Sequence, residues 1–165
     1  MSQKRVIAAF DPGYDRLGVA VLSGDVHSPT LLFTRTLRTE RSLEHDARLY
    51  SLGKQVAHVL AEYQPSLCAL ETLFFQVNRK TALAVAEARG IIRYEIARAG
   101  VPLVELSPQA VKIAATSDGR ASKEAVERMV RRLTRMDNNA QLGDDAIDAI
   151  ALAIAALAHA PRLQQ

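Results

Sequence analysis

The chain has 165 residues, 48% hydrophobic and 24% charged, the balance of one ordinary globular domain rather than a disordered or fibrous chain. Its net charge of +3 and pI of about 9.2 fit a polyanionic partner without requiring one. A lone cysteine, Cys68, excludes an intrachain disulfide and a cysteine-based zinc site, and the apolar runs 6–10 and 149–158 are too short for a secretory core or a membrane span. The expectation is a soluble, cytoplasmic protein.

In chain order, "KRVIAAF" reads as a strand ending at Asp11, "PGYDR" as a turn, "LGVAVLS" as a second strand and "LLFTRTLRT" as a third. Three short strands in succession predict an antiparallel meander. Residues 42–64 follow with apolar side chains at Leu49, Leu52, Val56, Val59 and Leu60, the spacing of one helix face, with Ser42 as the expected cap and Pro65 as the stop. "LCALET" is a short apolar strand with Cys68 in the core, flanked by other strands. A long helix then begins near Arg79 and closes at Gly100. "PLVEL" is a fifth strand, and helices are expected over 108–116, 122–134 and from about Gly143. The order β-β-β-α-β-α-β-α predicts a five-stranded mixed α/β sheet with helices on both faces.

"GDDAIDAIALAIAALAHA" has the composition of a buried helix, yet carries three carboxylates near its start. Asp144 is read as a first-turn acid that complements the helix dipole, and Asp145 by itself permits either a capping or a functional reading. Asp148 lies a full turn in, where capping does not explain it, and on a helix it shares a face with Asp145. An acid entering an apolar face has to be paired, hydrogen-bonded or bound to metal. Asp11 and Glu71 each end an apolar strand, and either one alone reads equally well as an ordinary loop-facing residue. As a set, two strand-end acids and an i,i+3 helical pair converge if the helix packs across those strands. Four gathered carboxylates with no thiolate favour Mg²⁺ or Mn²⁺, and two such ions about 4 Å apart suit phosphoryl hydrolysis.

The segments "FDPGYDRLGVAVL", "ALETLFF", "AEARG", "PQAVK…SKEAV" and "DDAIDAIALAI", in this order, resemble the RuvC family of Holliday-junction resolvases over about residues 5–158. The resemblance implies a ribonuclease H-like fold in a single nuclease domain spanning 1–165. It also implies a homodimer, two Mg²⁺ or Mn²⁺ ions per site, cleavage of four-way DNA junctions, and cooperation with RuvA and RuvB. The family's catalytic acids fall on Asp11, Glu71, Asp145 and Asp148. Its two lysines near the scissile phosphate fall on Lys112 and Lys123, and its junction-probing aromatic on Phe74.

Between Val111 and Arg135 seven Lys/Arg, among them Arg120, stand against three Asp/Glu, which reads as a DNA-facing surface or as a solvated helix face. "TSDGRAS" reads as a flexible loop between the two lysines. Phe74 and Phe75 are either a small apolar plug or a platform for an unpaired base. Arg79 and Lys80 open the next helix, where they are placed to hold phosphate. Gly90 inside that helix permits a close approach, within the monomer or, as the resemblance favours, across a dimer axis. The four histidines receive no role, and His159 is read as terminal. Rival readings are another ribonuclease H-like nuclease, an actin-like ATPase domain and a non-catalytic junction-binding module.

Overall fold

The computed structural model describes residues 5–13, 15–72, 79–137 and 140–159. Its strands are β1 (Arg5–Pro12), β2 (Arg16–Gly24), β3 (Pro29–Arg38), β4 (Leu67–Glu71) and β5 (Leu103–Leu106). Its helices are α1 (His45–Tyr63), α2 (Arg79–Arg98), α3 (Pro108–Thr116), α4 (Lys123–Leu133) and α5 (Asp144–His159). The sheet runs β3-β2-β1-β4-β5, with β1, β2 and β3 antiparallel and β4 and β5 added parallel to β1. The expected meander, mixed sheet and two helical layers are all present.

Alternation along the strands sorts the core into two layers. Ile7, Ala9, Ala20, Leu22, Leu67 and Ala69 face α3, α4 and α5, whereas Ala8, Phe10, Val19, Val21, Cys68 and Leu70 face α1 and α2. Strands covered on both faces read as continuous apolar runs, which is why β1, β2 and β4 stand out in the sequence. Cys68 is fully buried as expected, and burial pushes its thiol up to about 12.

Local details differ from expectation where short-range bonds decide them. Helix α1 begins at His45 rather than near Ser42, because the Ser42 hydroxyl donates to Glu40 Oε1 (2.6 Å) instead of capping. Gln64 closes it in the left-handed region at φ 44°. Ser107 and Ser122 do cap α3 and α4, accepting from the amides of Ala110 (3.1 Å) and Ala125 (3.2 Å). His159 is the last residue of α5, where its Nδ1 lies 2.8 Å from the Ala155 carbonyl. The segment read as a flexible loop between α3 and α4 is bonded to itself. The Asp118 amide donates to Thr116 Oγ1 (3.1 Å), and the Arg120 amide to Asp118 Oδ1 (2.8 Å).

Helix α5 is apolar nearly all round, and everything from Ala149 to Leu157 is buried. Its first turn lies directly on β2. A Cβ added to Gly18 would sit 2.0 Å from the Asp145 carbonyl oxygen, and Gly18 is the register partner of Asp11. Only a residue with no side chain lets the helix backbone approach the strand this closely. Gly18→Ala is therefore expected to destabilise the protein by ~1–3 kcal/mol through forced displacement of α5. Urea denaturation measures it; a midpoint equal to the parent's would mean that the helix start does not depend on this contact.

Candidate active site

The register brings Asp11 and Glu71 together. Strands β1 and β4 run parallel with Phe10 beside Leu70, so the next residues, Asp11 and Glu71, lie side by side at the same end of the sheet. Alternation places both on the face of Ala9 and Ala69, the one that α5 covers. Asp145 and Asp148 descend from the opening turns of α5 over the same strand ends. The four carboxylates singled out in the sequence are thus gathered at one end of the sheet, near enough for Asp11 to feel the charges of the other three.

Their electrostatics report the meeting. Burial, then the charges of Glu71, Asp148 and Asp145, push the Asp11 carboxyl up to about 7. Glu71 is raised by burial and by Asp148, with the Arg89 guanidinium working the other way. Asp148 is raised by burial, against the opposing effect of Lys123. Two basic side chains offset the cluster. Lys123 Nζ reaches Asp144 (3.1 Å) and Asp148 (3.6 Å), and Arg16 Nε reaches Asp145 (3.3 Å).

An oxygen-only donor set with excess negative charge fits a hard divalent cation. Among the described residues, however, no three acidic, histidine or cysteine side chains are close enough to hold an ion as they stand. Like charges repel, and the helical acids are engaged by cations instead, Asp144 and Asp148 by Lys123 and Asp145 by Arg16. Asp144 behaves as the sequence suggested: it is an exposed first-turn acid, and it is engaged by Lys123.

The basic segment divides into two kinds of residue. Lys112 is half-buried on α3 with no ion pair to any described residue, and Arg120 is exposed just before α4. Arg131 is committed internally: it pairs with Glu127 (2.8 Å) and donates to the carbonyls of Asp137 and Ala140. Arg79 and Lys80 do open α2, but their side chains lie outside the described residues, as do Phe74 and Phe75 altogether. Among the described residues nothing lies within 4 Å of where a Cβ on Gly90 would stand, so close packing against them does not explain it.

Sequence reading missed three contributors. Arg16 and Gly18 lie inside the quoted "FDPGYDRLGVAVL", but only the strand pairing shows one beside Asp145 and the other beneath it. Arg89 is buried on α2 and donates to the Glu71 carbonyl, and its one available signal was a charge beside Gly90 among apolar neighbours.

A family profile described as "Crossover junction endodeoxyribonuclease RuvC" matches residues 7–156. The chain belongs to the RuvC family. A RuvC of Thermosipho melanesiensis is 37% identical over 147 residues, spanning 89% of this chain and 93% of that one. A RuvC of Thermobifida fusca is 38% identical over 149 residues, 90% of this chain and 81% of the relative. A solved structure of T. thermophilus RuvC in complex with Holliday junction substrate superposes with a TM-score of 0.85 at 28% identity, covering 96% of each chain. The yeast mitochondrial Holliday junction resolvase Ydc2, at 12% identity and a TM-score of 0.71 over 96% of this chain and 80% of its own, shares the fold. The RuvC architecture and its ribonuclease H-like sheet are those described above.

The raised Asp11 carboxyl makes stability pH-dependent in a definite sense. The folded protein keeps this proton up to about 7, while an unfolded chain releases it near 3.8, so stability is lost as pH rises through that window. Without added metal, Asp11→Asn is expected to exceed the parent's stability by ~1–3 kcal/mol at about pH 8, with the advantage vanishing near pH 4. Urea midpoints at the two pH values test this. A constant difference between the proteins would mean that the carboxyl ionises freely.

Proposed function

We propose that this protein is a homodimeric endonuclease that resolves four-way DNA junctions by paired, symmetric nicks. The convergence of Asp11, Glu71, Asp145 and Asp148 at one end of the sheet carries the reading. The likeness over nearly the whole chain to a RuvC solved with a Holliday junction supports it. These four carboxylates would hold two Mg²⁺ or Mn²⁺ ions, which supply a water of lowered pKa and charge compensation for hydrolysis to 5′-phosphate and 3′-hydroxyl ends.

The chain's own groups do the rest. Lys123 neutralises Asp148 and Asp144 in the free protein. Were bound cations to meet that charge, its ammonium would be free to contact the cleaved strand. Lys112 has no ion pair among the described residues to give up and contacts the neighbouring phosphate, while Arg120 follows the backbone. Phe74 stacks on an unpaired base at the crossover, and Arg79 and Lys80 hold phosphate beside it. A second copy docks on the outward face of α2. There Gly90 leaves open space, and Leu83 and Tyr94 stand 70% and 62% exposed. Two sites related by a two-fold axis cut opposed strands in matched positions. Work on junctions in the cytoplasm beside RuvA and RuvB completes the reading as a recombination and repair enzyme.

A synthetic mobile junction, incubated with Mg²⁺ or Mn²⁺ beside linear duplex of the same sequence, tests this directly. Symmetric cuts confined to the junction are expected, and Asp148→Asn is expected to slow them by ~10²-fold or more while still binding the junction. Tight binding without cuts by the parent would leave a binding module instead. Separately, Gly90→Leu is expected to keep the monomer's thermal stability and shift sedimentation equilibrium toward monomer. An unchanged dimer would move the interface off α2.

A further inference from the structure

Arg89 on α2 has no part in the reading above, yet it is only 7% exposed. A buried guanidinium has to be matched by acceptors, and its two partners differ in kind. One nitrogen donates to the Glu105 carboxylate on β5, which Arg93 also engages. The other donates to the main-chain carbonyl of Glu71.

The second bond is the informative one. The ladder between β1 and β4 ends at Phe10 beside Leu70, so Glu71 lies just past the last parallel pair. Beyond it, the Thr72 amide donates to the Leu106 carbonyl on β5 (2.9 Å). The Glu71 carbonyl and the Thr72 amide belong to one peptide unit, so these two bonds fix its plane immediately after the Glu71 Cα and with it the direction in which the side chain leaves the strand. Glu105 stands beside Leu70 in the β4–β5 register, one residue before Glu71. Arg89 therefore spans from the interior of the ladder to its free end. An ion pair needed only for stability would be met by Glu105 and Arg93 at the surface; the bond to the strand end serves Glu71.

We propose that Arg89 is a positioning residue for Glu71: by clamping the Glu71 carbonyl and Glu105, it holds this carboxylate toward Asp11 and Asp148. The proposal rests on the two-ion reading of the acidic cluster. Arg89 adds positive charge behind Glu71 without touching its carboxyl oxygens, which leaves them available to a cation. Because Arg89 adjoins Gly90, the helix that sets Glu71 is the one assigned to face a second copy.

Four proteins test it: the parent, Arg89→Met, Arg89→Lys and Glu105→Gln. The readouts are Mn²⁺ binding without DNA by electron paramagnetic resonance, junction binding in chelator, single-turnover cleavage and the urea midpoint. Arg89→Met is expected to weaken Mn²⁺ binding and slow cleavage by ~10–100-fold, the range for outer-shell partners of metal ligands, with junction binding unchanged. Arg89→Lys is expected to recover part of the loss, since an ammonium keeps the charge but lacks the planar fork that spans both acceptors. Glu105→Gln, which leaves Arg89 in place, is expected to fall between parent and Arg89→Met.

Parental Mn²⁺ affinity and cleavage in Arg89→Met would overturn the proposal. So would losses that merely track junction binding and the urea midpoint across the set. If Arg89→Met does not fold, Arg89→Lys is judged by the same outcomes. A parent that binds Mn²⁺ but leaves junctions uncut would sink the resolvase reading alone, and Mn²⁺ affinity would still decide on Arg89. A parent that binds no Mn²⁺ would sink both.

Discussion

The architecture depends on a backbone-to-backbone approach, the first turn of α5 laid against Gly18 of β2. Strand pairing alone brings Asp11 beside Glu71, but it leaves two acids at a sheet end, a common arrangement. The helix adds Asp145 and Asp148 to the same face, and it can do so only because Gly18 has no side chain. The long aliphatic remainder of α5 holds that position by burial against β1, β2 and α3. Burying a Leu or Ile side chain contributes roughly 1.5–3 kcal/mol, and Ile147, Ile150, Leu152, Ile154 and Leu157 are all nearly fully buried. That gain offsets the cost of seating carboxylates at the helix start.

The cost is visible in the charges. Each acid of the cluster that shows a shift is driven toward its neutral form, Asp11 most of all. Lys123 and Arg16 limit the repulsion by pairing with the helical acids, whereas Arg89 acts on Glu71 from behind the strand. The free protein is thus held together by its own cations at the positions where a metal and a phosphate backbone would later stand. In the proposed reaction Lys123 would exchange one negatively charged partner for another, while Arg89 stays on the Glu71 carbonyl.

The basic stretch shows why counting charges overstates a binding surface. Seven basic residues between Val111 and Arg135 look alike in the sequence. Arg131 is tied to Glu127 and to the carbonyls of Asp137 and Ala140 in the segment after its own helix. Lys112, Arg120 and Arg128 have no such commitments among the described residues, and they lie on α3, α4 and the turn joining them, beside α5. Like residues carry out different tasks according to whether a neighbouring carboxylate or carbonyl has claimed them.

The sequence by itself determined the element order, the two-sided burial of β1, β2 and β4, and the oddity of Asp148 within an apolar helix. These are local properties: periodicity, capping chemistry and the energetic cost of a charge in an apolar face can be read along the chain. The capping residue of α1 was misread, because Ser42 has a competing local acceptor in Glu40 that periodicity does not register. Tertiary structure decided which acids meet, since parallel pairing of β1 with β4 joins residues sixty apart. It also decided the roles of Gly18, Arg16 and Arg89. Each of these acts through a partner distant in sequence: a helix carbonyl, a helix acid and a strand-end carbonyl. No local pattern encodes such contacts, because they exist only after the layers have packed.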